Sequence, residues 1–127
     1  MKRRGEIYYV ANGDALGSEA DGRRPSVVVS INYLNKRIET CVVVPMFSDS
    51  EPHFHNVEVF PSRDNTLEKK WVANTHLVRH VSSIRIEQEC LGRVSDDELD
   101  EISVALAHVM DTRNPEIPPL ELLLDPE

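Results

Sequence analysis

The sequence has no long apolar run and little cysteine. A bilayer-spanning helix takes about 20 apolar residues, and no segment of the 127 residues approaches that length. The basic start, residues 1–6, is followed by no apolar core of the kind a secretory signal has. Cys41 and Cys90 lie too far apart for a metal or redox motif. We therefore expect a cytoplasmic protein without membrane contact, with both cysteines as buried, reduced thiols.

The common catalytic signatures are missing as well. There is no serine or cysteine nucleophile motif and no glycine-rich phosphate loop followed by a helix. This disfavours hydrolases, kinases and dehydrogenases of the usual kinds. His53 and His55, beside Glu51, would project to one face of a strand, but nothing in the sequence marks a third ligand. We therefore expect neither a metal nor another cofactor.

The charge is unevenly distributed along the chain. The net charge of −8 by itself argues against a nucleic-acid-binding protein. However, residues 1–80 carry 11 basic and 10 acidic side chains, whereas residues 81–127 carry 3 basic and 12 acidic ones. A phosphate-binding surface must therefore come from the first two-thirds of the chain. The acidic end either lies away from that surface or masks it.

The apolar pattern predicts a mainly β domain. Runs of β-branched and aromatic residues, separated by polar turns, indicate five or six strands. We place them at residues 6–11, 25–31, 39–47, 54–60, 71–75 and 80–87, with a polar turn at residues 32–36. A long loop at residues 12–24 follows the first strand, and loops of that length are usually functional or disordered. The expected architecture is a small, strongly bent antiparallel sheet or barrel.

One helix is predicted after the strands. Ser95 and Glu98 have the spacing of a capping box. The apolar face that follows contains Leu99, Ile102, Leu106, Val109 and Met110. An Asn-Pro pair at residues 114–115 is expected to end the helix, so we divide the chain into a domain at residues 1–113 and a tail at residues 114–127. The tail is both acidic and apolar, and it either occupies a phosphate-binding groove or packs on the helix as an apolar strap.

The junction between the long loop and the second strand carries the clearest chemical signal. Arg24 immediately precedes Pro25, so the buried strand fixes its backbone. An arginine held in this way can bind a phosphate through two parallel N–H bonds. Cleavage of RNA without a metal needs a base for the 2′-OH, an acid for the leaving oxygen and cations around the phosphorane, and Arg24 would be such a cation. The alternative is a surface ion pair of Arg23 or Arg24 with Glu19 or Asp21.

Three segments of the chain resemble one toxin family. They are residues 4–10 (RGEIYYV), residues 17–19 (GSE) with residues 22–30 (GRRPSVVVS), and residues 43–45 (VVP). In the order and spacing of these motifs the chain is similar to the MazF/PemK/Kid toxins, and a weaker likeness continues to the last helix. The resemblance implies an SH3-like, CcdB-type antiparallel barrel with a C-terminal helix. It also implies an endoribonuclease of a type II toxin–antitoxin system, which cuts single-stranded mRNA and leaves 2′,3′-cyclic phosphate and 5′-OH ends without using a metal.

The same resemblance implies partners. Toxins of this family form homodimers, and a cognate antitoxin blocks their RNA groove. The expected partners are therefore single-stranded RNA, the antitoxin and a second copy of the chain. Operator DNA is expected to be contacted only through the complex with the antitoxin.

Site residues are carried over from the family position by position. Arg24 takes the position of the catalytic arginine, and Glu19 that of the loop glutamate beside it. The residues expected to bind RNA around them are Arg23, Lys36, Arg79 and Arg85.

The chain departs from the family pattern at three positions. The usual Thr after the Val-Pro strand is Phe47, so we take the hydroxyl of Ser48 as its substitute. The usual Gln and Asp near the last strands are Leu77 and Ser82. In the Kid branch an acid–base Asp occupies the position of His76, and because histidine titrates at about pH 6.5 we assign the proton transfers to His76. The alternative is that His76 is a turn residue without a catalytic task.

Two other functions remain open. A CcdB-like toxin of the same fold would poison DNA gyrase by contact and cut nothing, and the three departures are compatible with lost catalysis. A catalytically impaired protein that only binds the antitoxin and regulates transcription is the other possibility. The arginine fixed before Pro25 would have no evident purpose in either.

Overall fold

Seven strands and two helices form the part of the chain that the computed structural model describes, residues 1–11 and 22–111. The strands are β1 Glu6–Ala11, β2 Arg23–Val28, β3 Thr40–Phe47, β4 Asn56–Val59, β5 Trp71–Asn74, β6 Arg79–Ser82 and β7 Ile86–Arg93. The helices are α1 Asn32–Arg37 and α2 Asp96–Met110, and single 3₁₀ turns occur at Thr75–Leu77 and Ser83–Arg85. Neither helix has the length and apolar character needed to cross a membrane.

All of the strand pairings are antiparallel, and β3 is the strand that bends the sheet. The strand order is β4-β5-β3-β2-β1-β7, with β6 paired to β3 outside this order. The first half of β3 pairs with β6, where Cys41 lies opposite Val81, and its last residues pair with β5, where Met46 lies opposite Ala73. Because its two ends pair with different strands, β3 lies where the sheet bends. The predicted mainly β fold with a C-terminal helix is confirmed.

Two apolar clusters lie on opposite faces of the central strands, because successive side chains of a strand point to opposite sides. The larger one lies under α2 and includes Ile7, Val27, Val44, Met46 and Ile102. The smaller one, which we call the barrel cluster, draws on β1, β2, β3, β6 and β7. Its members are Tyr8, Val10, Val28, Cys41, Val43, Val81 and Ile86.

Helix α2 begins as the sequence predicts. The Ser95 hydroxyl accepts the Glu98 N–H at 3.0 Å, and the Glu98 carboxylate accepts the Ser95 N–H at 2.9 Å. Its buried side chains Leu99, Ile102 and Ala105 pack on the larger cluster. The helix ends at Met110, earlier than expected, because Asp111 adopts a left-handed backbone. The predicted stop at residues 114–115 and the tail at residues 114–127 lie outside the described residues.

The prediction of a single strand at residues 80–87 is wrong. The 3₁₀ turn Ser83–Arg85 separates β6, which pairs with β3, from β7, which pairs with β1. The Ser83 N–H donates to the Glu39 carbonyl at 2.9 Å, which fixes the position of this turn. Seven strands therefore form where five or six were predicted.

Residues 32–36, predicted as a turn, belong to the short helix α1. The Asn35 amide holds its start, because Nδ2 donates to the Ser30 carbonyl at 2.8 Å and Oδ1 accepts the Ser30 hydroxyl. Asparagine side chains commonly bond to nearby backbone groups, and such bonds occur in turns as well as at the ends of helices. The polar composition of this segment therefore did not distinguish a turn from a short helix.

The two cysteines differ in exposure. Cys41 is buried in the barrel cluster, as predicted, whereas Cys90 is exposed, so the prediction of two buried thiols is wrong for Cys90. The reason is that β7 is an edge strand whose residues 87–90 are all exposed. Both thiols are free.

Candidate active site

Arg24 lies at one end of the barrel cluster, against an aromatic ring. In β2, Arg24 shares a face with Ser26 and Val28, because side chains two residues apart point the same way. Ser26 lies opposite Pro45 of β3, and the same register carried two residues further brings Arg24 opposite Phe47. The guanidinium carbon lies 4.0 Å from the centroid of the Phe47 ring. This is a cation–π contact, worth about 0.5–2 kcal/mol depending on its exposure.

Among the described residues, no carboxylate forms an ion pair with Arg24. Arg24 is partly buried, and its guanidinium carbon lies over the Phe47 ring at a distance that suits stacking of the guanidinium plane on the ring. The N–H groups of a guanidinium lie in its plane, so contact through a face leaves them available to an anion. The alternative of an ion pair with Glu19 or Asp21 concerns two residues outside the described part of the chain.

Arg79 reaches the same end of the barrel from a different strand. It begins β6 and shares a face with Val81 of the barrel cluster. Its Nη2 donates to the carbonyl of Ala11 at 3.2 Å. Ala11 is the last residue of β1 and lies opposite Arg23, next to the pair of Val10 and Arg24. Arg24 and Arg79 are 55 positions apart in the sequence. Both therefore lie where β1 ends and β2 begins, on either side of residues 12–21.

Arg23 faces the other side of the sheet. Because it neighbours Arg24 in β2, its side chain points away from the barrel cluster. It contacts the Tyr9 ring at 4.0 Å and binds both carboxylate oxygens of Glu87, at 2.9 and 2.8 Å. The structure therefore does not place Arg23 beside Arg24 and Arg79, and a contact with RNA would compete with Glu87.

Arg85 and Lys36 lie at different distances from Arg24. Arg85 ends the 3₁₀ turn before Ile86, and Ile86 lies opposite Val10, which lies opposite Arg24. Two strand spacings, roughly 10 Å, therefore separate these backbones. Lys36 is in α1, at the opposite end of the β2–β3 hairpin, beyond the roughly 13 Å of strand that separates Arg24 from Val28. Both side chains are exposed.

Of the two remaining oxygen-bearing candidates, Ser48 lies in the described part of the chain and Glu19 does not. Ser48 directly follows Phe47 at the end of β3 and is exposed, so its hydroxyl is next to the Arg24 contact in the chain. Glu19 falls within residues 12–21, outside the described residues. A second hydroxyl, that of Ser50, donates to Oδ1 of the buried Asn74 at 3.3 Å, a contact that the sequence did not predict.

His76 belongs to a group of histidines rather than to the Arg24 contact. It lies in the 3₁₀ turn after β5 and is exposed. Its ring meets the edge of His55 with centroids 4.3 Å apart, and His55 stacks on His53 at 5.0 Å. Val72 of β5 pairs with Phe47, and His76 follows Val72 by four residues, beyond the end of β5.

His55 is the chemically unusual member of this group. Its Nδ1 is buried and has no hydrogen-bond partner among the described residues. Removal from water, followed by the nearby charges of His76 and His53, lowers the pKa of His55 below 6.5. Its main-chain carbonyl accepts both the N–H and the hydroxyl of Thr75, at 2.9 and 2.7 Å, which fixes the start of the turn carrying His76.

Within residues 1–11 and 22–111, no three histidine, cysteine or acidic side chains are arranged to hold a metal ion. A groove of 530 Å³ lies elsewhere, between β4 and α2, and contains none of the predicted site residues. Its walls include the exposed Phe54, Phe60 and Val104 together with the carboxylates of Glu58 and Asp100. Carboxylates repel phosphates, so this groove is less suited to RNA than the Arg24 end of the barrel.

Comparison with known proteins identifies relatives over most of the chain. The family model of the PemK-like, MazF-like toxins of type II toxin–antitoxin systems matches residues 3–110. The protein named Endoribonuclease MazF9 from Mycobacterium tuberculosis is 32% identical over 111 residues, which cover 84% of this chain and 93% of that protein.

Solved structures with the same fold include two toxins. An endoribonuclease in complex with its cognate antitoxin, from a mycobacterial species, has a TM-score of 0.73 at 23% identity and covers 91% of this chain and 100% of its own. MazF from Deinococcus radiodurans has a TM-score of 0.70 at 23% identity and covers 87% of this chain and 97% of its own. At these identities the likeness establishes the fold.

Proposed function

Since this chain belongs to the PemK-like, MazF-like toxins of type II toxin–antitoxin systems, we propose that it is an endoribonuclease that cuts single-stranded mRNA. The observation that carries the proposal is the convergence of Arg24 and Arg79 at one end of the barrel. The cut leaves a 2′,3′-cyclic phosphate and a 5′-OH, and no metal or other cofactor takes part. The protein acts in the cytoplasm.

The scissile phosphate binds between the two arginines. Attack by the 2′-OH places a further negative charge on the phosphorus oxygens, and fixed cations stabilise that charge most in the transition state. The Arg24 backbone pairs with β1, its guanidinium contacts Phe47 of β3, and Arg79 is tied to the end of β1. Little ordering of these side chains is therefore needed when RNA binds. Ser48 supplies a hydroxyl beside them, and Glu19 is the loop glutamate of the same site.

The proton transfers stay assigned to His76 as a prediction, although its ring lies with His55 and His53 rather than beside Arg24. An imidazole can act as either acid or base near neutral pH. Its exposed ring is held edge-on by His55, and His55 in turn is held by Thr75. Cleavage by a His76→Ala variant at the rate of the wild type would reject this role and leave His76 as a turn residue.

Binding of the substrate uses the remaining cations. Arg79 and Arg85 contact the strand near the cut, and Lys36 contacts it further along the hairpin. Arg23 also contacts the RNA strand, once the RNA has displaced Glu87 from its guanidinium. Single-stranded RNA is the substrate, because its unpaired bases and 2′-OH groups are accessible.

The proposed partners are a cognate antitoxin and a second copy of the chain. The mycobacterial protein of the same fold was solved with its antitoxin, and antitoxin binding is the property that defines the family. Contact with operator DNA occurs only through the antitoxin complex.

The test is cleavage of a long single-stranded RNA in the presence of EDTA. Wild-type protein and an Arg63→Ala control, which loses an exposed arginine remote from the site, are expected to give fragments with cyclic phosphate ends. Arg24→Ala and Arg79→Ala are expected to cut slowly or not at all. Intact RNA together with inhibited DNA supercoiling would favour the gyrase poison, and intact RNA with antitoxin binding alone would favour the regulator.

A further inference from the structure

We infer that Phe47 is a positioning residue of this site, which holds the plane of the Arg24 guanidinium for the scissile phosphate. The inference rests on the proposed function, because it assumes that Arg24 binds RNA. It concerns the position where the family pattern has a hydroxyl and this chain has an aromatic ring.

The register of the two strands creates the contact. Val28 lies opposite Val43 and Ser26 opposite Pro45, so Arg24 and Phe47 face one another at the ends of their strands. Both are only partly buried, and the guanidinium carbon lies 4.0 Å from the ring centroid. Arginine stacks its guanidinium plane on aromatic rings at such separations, and we infer that the Phe47 ring sets the height of this plane above β3.

An aromatic support suits a phosphate-binding arginine for a chemical reason. A hydrogen-bonding neighbour would occupy N–H groups, as Glu87 occupies those of Arg23 with two contacts. The Phe47 ring uses only the π face of the guanidinium, so the N–H edge stays available for a bidentate phosphate. The ring therefore orients the cation without competing with the substrate.

Two substitutions separate an aromatic role from a merely apolar one. Phe47→Leu keeps an apolar side chain but removes the π face, whereas Phe47→Tyr keeps the face. A contact worth about 0.5–2 kcal/mol corresponds to a loss of about twofold to thirtyfold in kcat/KM for Phe47→Leu. Phe47→Tyr is expected to stay within about twofold of the wild type, because its ring offers the same face.

The matched control is another arginine stacked on an aromatic ring. Arg37 lies 3.6 Å from the Tyr33 ring on α1, at the other end of the hairpin. Tyr33→Leu removes a contact of the same kind and should leave kcat/KM unchanged. Thermal unfolding of every variant checks that the fold is kept.

A double-mutant cycle tests whether Phe47 acts through Arg24. The readout is the affinity for a 2′-O-methylated RNA, which cannot be cut and so can be measured for every variant. Phe47→Leu should weaken this binding when Arg24 is present and have no further effect in an Arg24→Ala background.

Two results would overturn the inference. One is wild-type kcat/KM in Phe47→Leu, and the other is an equal loss of affinity from Phe47→Leu with and without Arg24. Cleavage that survives Arg24→Ala alone is a separate result, which would overturn the proposed function whatever the Phe47 variants do.

Discussion

Replacing Arg24 with lysine tests the site while keeping its charge. Lysine presents a compact ammonium that cannot bind a phosphate through two parallel N–H bonds, nor rest its plane on the Phe47 ring. The contact with that ring, at 4.0 Å, would be weakened. If Arg24 acts only through its positive charge, the Arg24→Lys variant keeps its cleavage activity. If the planar geometry of the guanidinium is needed, the variant loses activity.

The size of the effect follows from the two contacts. Losing one of two charge-assisted hydrogen bonds costs about 1.5–3 kcal/mol, and weakening the stacked contact costs about 0.5–1 kcal/mol more. The total of about 2–4 kcal/mol corresponds to a fall of roughly 30-fold to 1000-fold in kcat/KM.

The assay is cleavage of a fluorescently labelled single-stranded RNA under single-turnover conditions. An Arg63→Lys variant makes the same chemical change at an exposed position in the loop after β4 and is expected to cut like the wild type. A rate of Arg24→Lys within about threefold of the wild type would mean that the substitution raises the activation free energy by less than about 1 kcal/mol. That result would refute the bidentate geometry.

Three further predictions concern the framework of the site. Ser95→Ala removes the hydroxyl that accepts the Glu98 N–H, so it should lower the free energy of unfolding by about 1 kcal/mol in urea titrations; an unchanged midpoint would contradict the capping role. Gly92→Ala would place a Cβ 2.3 Å from the Asn65 Cα at a φ of +104°, and we expect it to cost about 3 kcal/mol in the same assay. Because the pKa of His55 is lowered on folding, the unfolded chain binds more protons as the pH falls, so stability should decrease as the pH drops through about 6.5. His55→Asn should flatten that slope, and an equal slope in both proteins would contradict the lowered pKa of His55.

Local signals predicted the elements that depend on neighbouring residues. The Ser95 and Glu98 spacing predicted a capping box that forms both of its hydrogen bonds. Alternating and continuous β-branched runs located β1, β2 and β3 to within a few residues, since such runs stabilise strands wherever they pair.

Long-range pairing set the features that the sequence did not reveal. A run of apolar and charged residues at 80–87 looks like one strand, but its two halves pair with β3 and β1, and only the turn at Ser83–Arg85 makes that possible. The contact of Arg24 with Phe47 likewise requires the register of β2 on β3. The motif around Arg24 predicted a phosphate-binding arginine, whereas the aromatic ring that contacts this arginine lies on a strand some twenty positions away, as is usual for β-sheet contacts.

The most direct test is to remove the charge of the scissile phosphate. Once the cut site is mapped, a 2′-O-methylated RNA is made with a neutral methylphosphonate at that single position. Wild-type protein should bind it about tenfold or more weakly than the all-phosphate strand, since a charge-assisted contact is lost. The Arg24→Ala variant should lose clearly less affinity than the wild type does, because only Arg79 then remains beside this phosphate. An equal loss for both proteins would show that Arg24 does not contact this phosphate and would contradict the account.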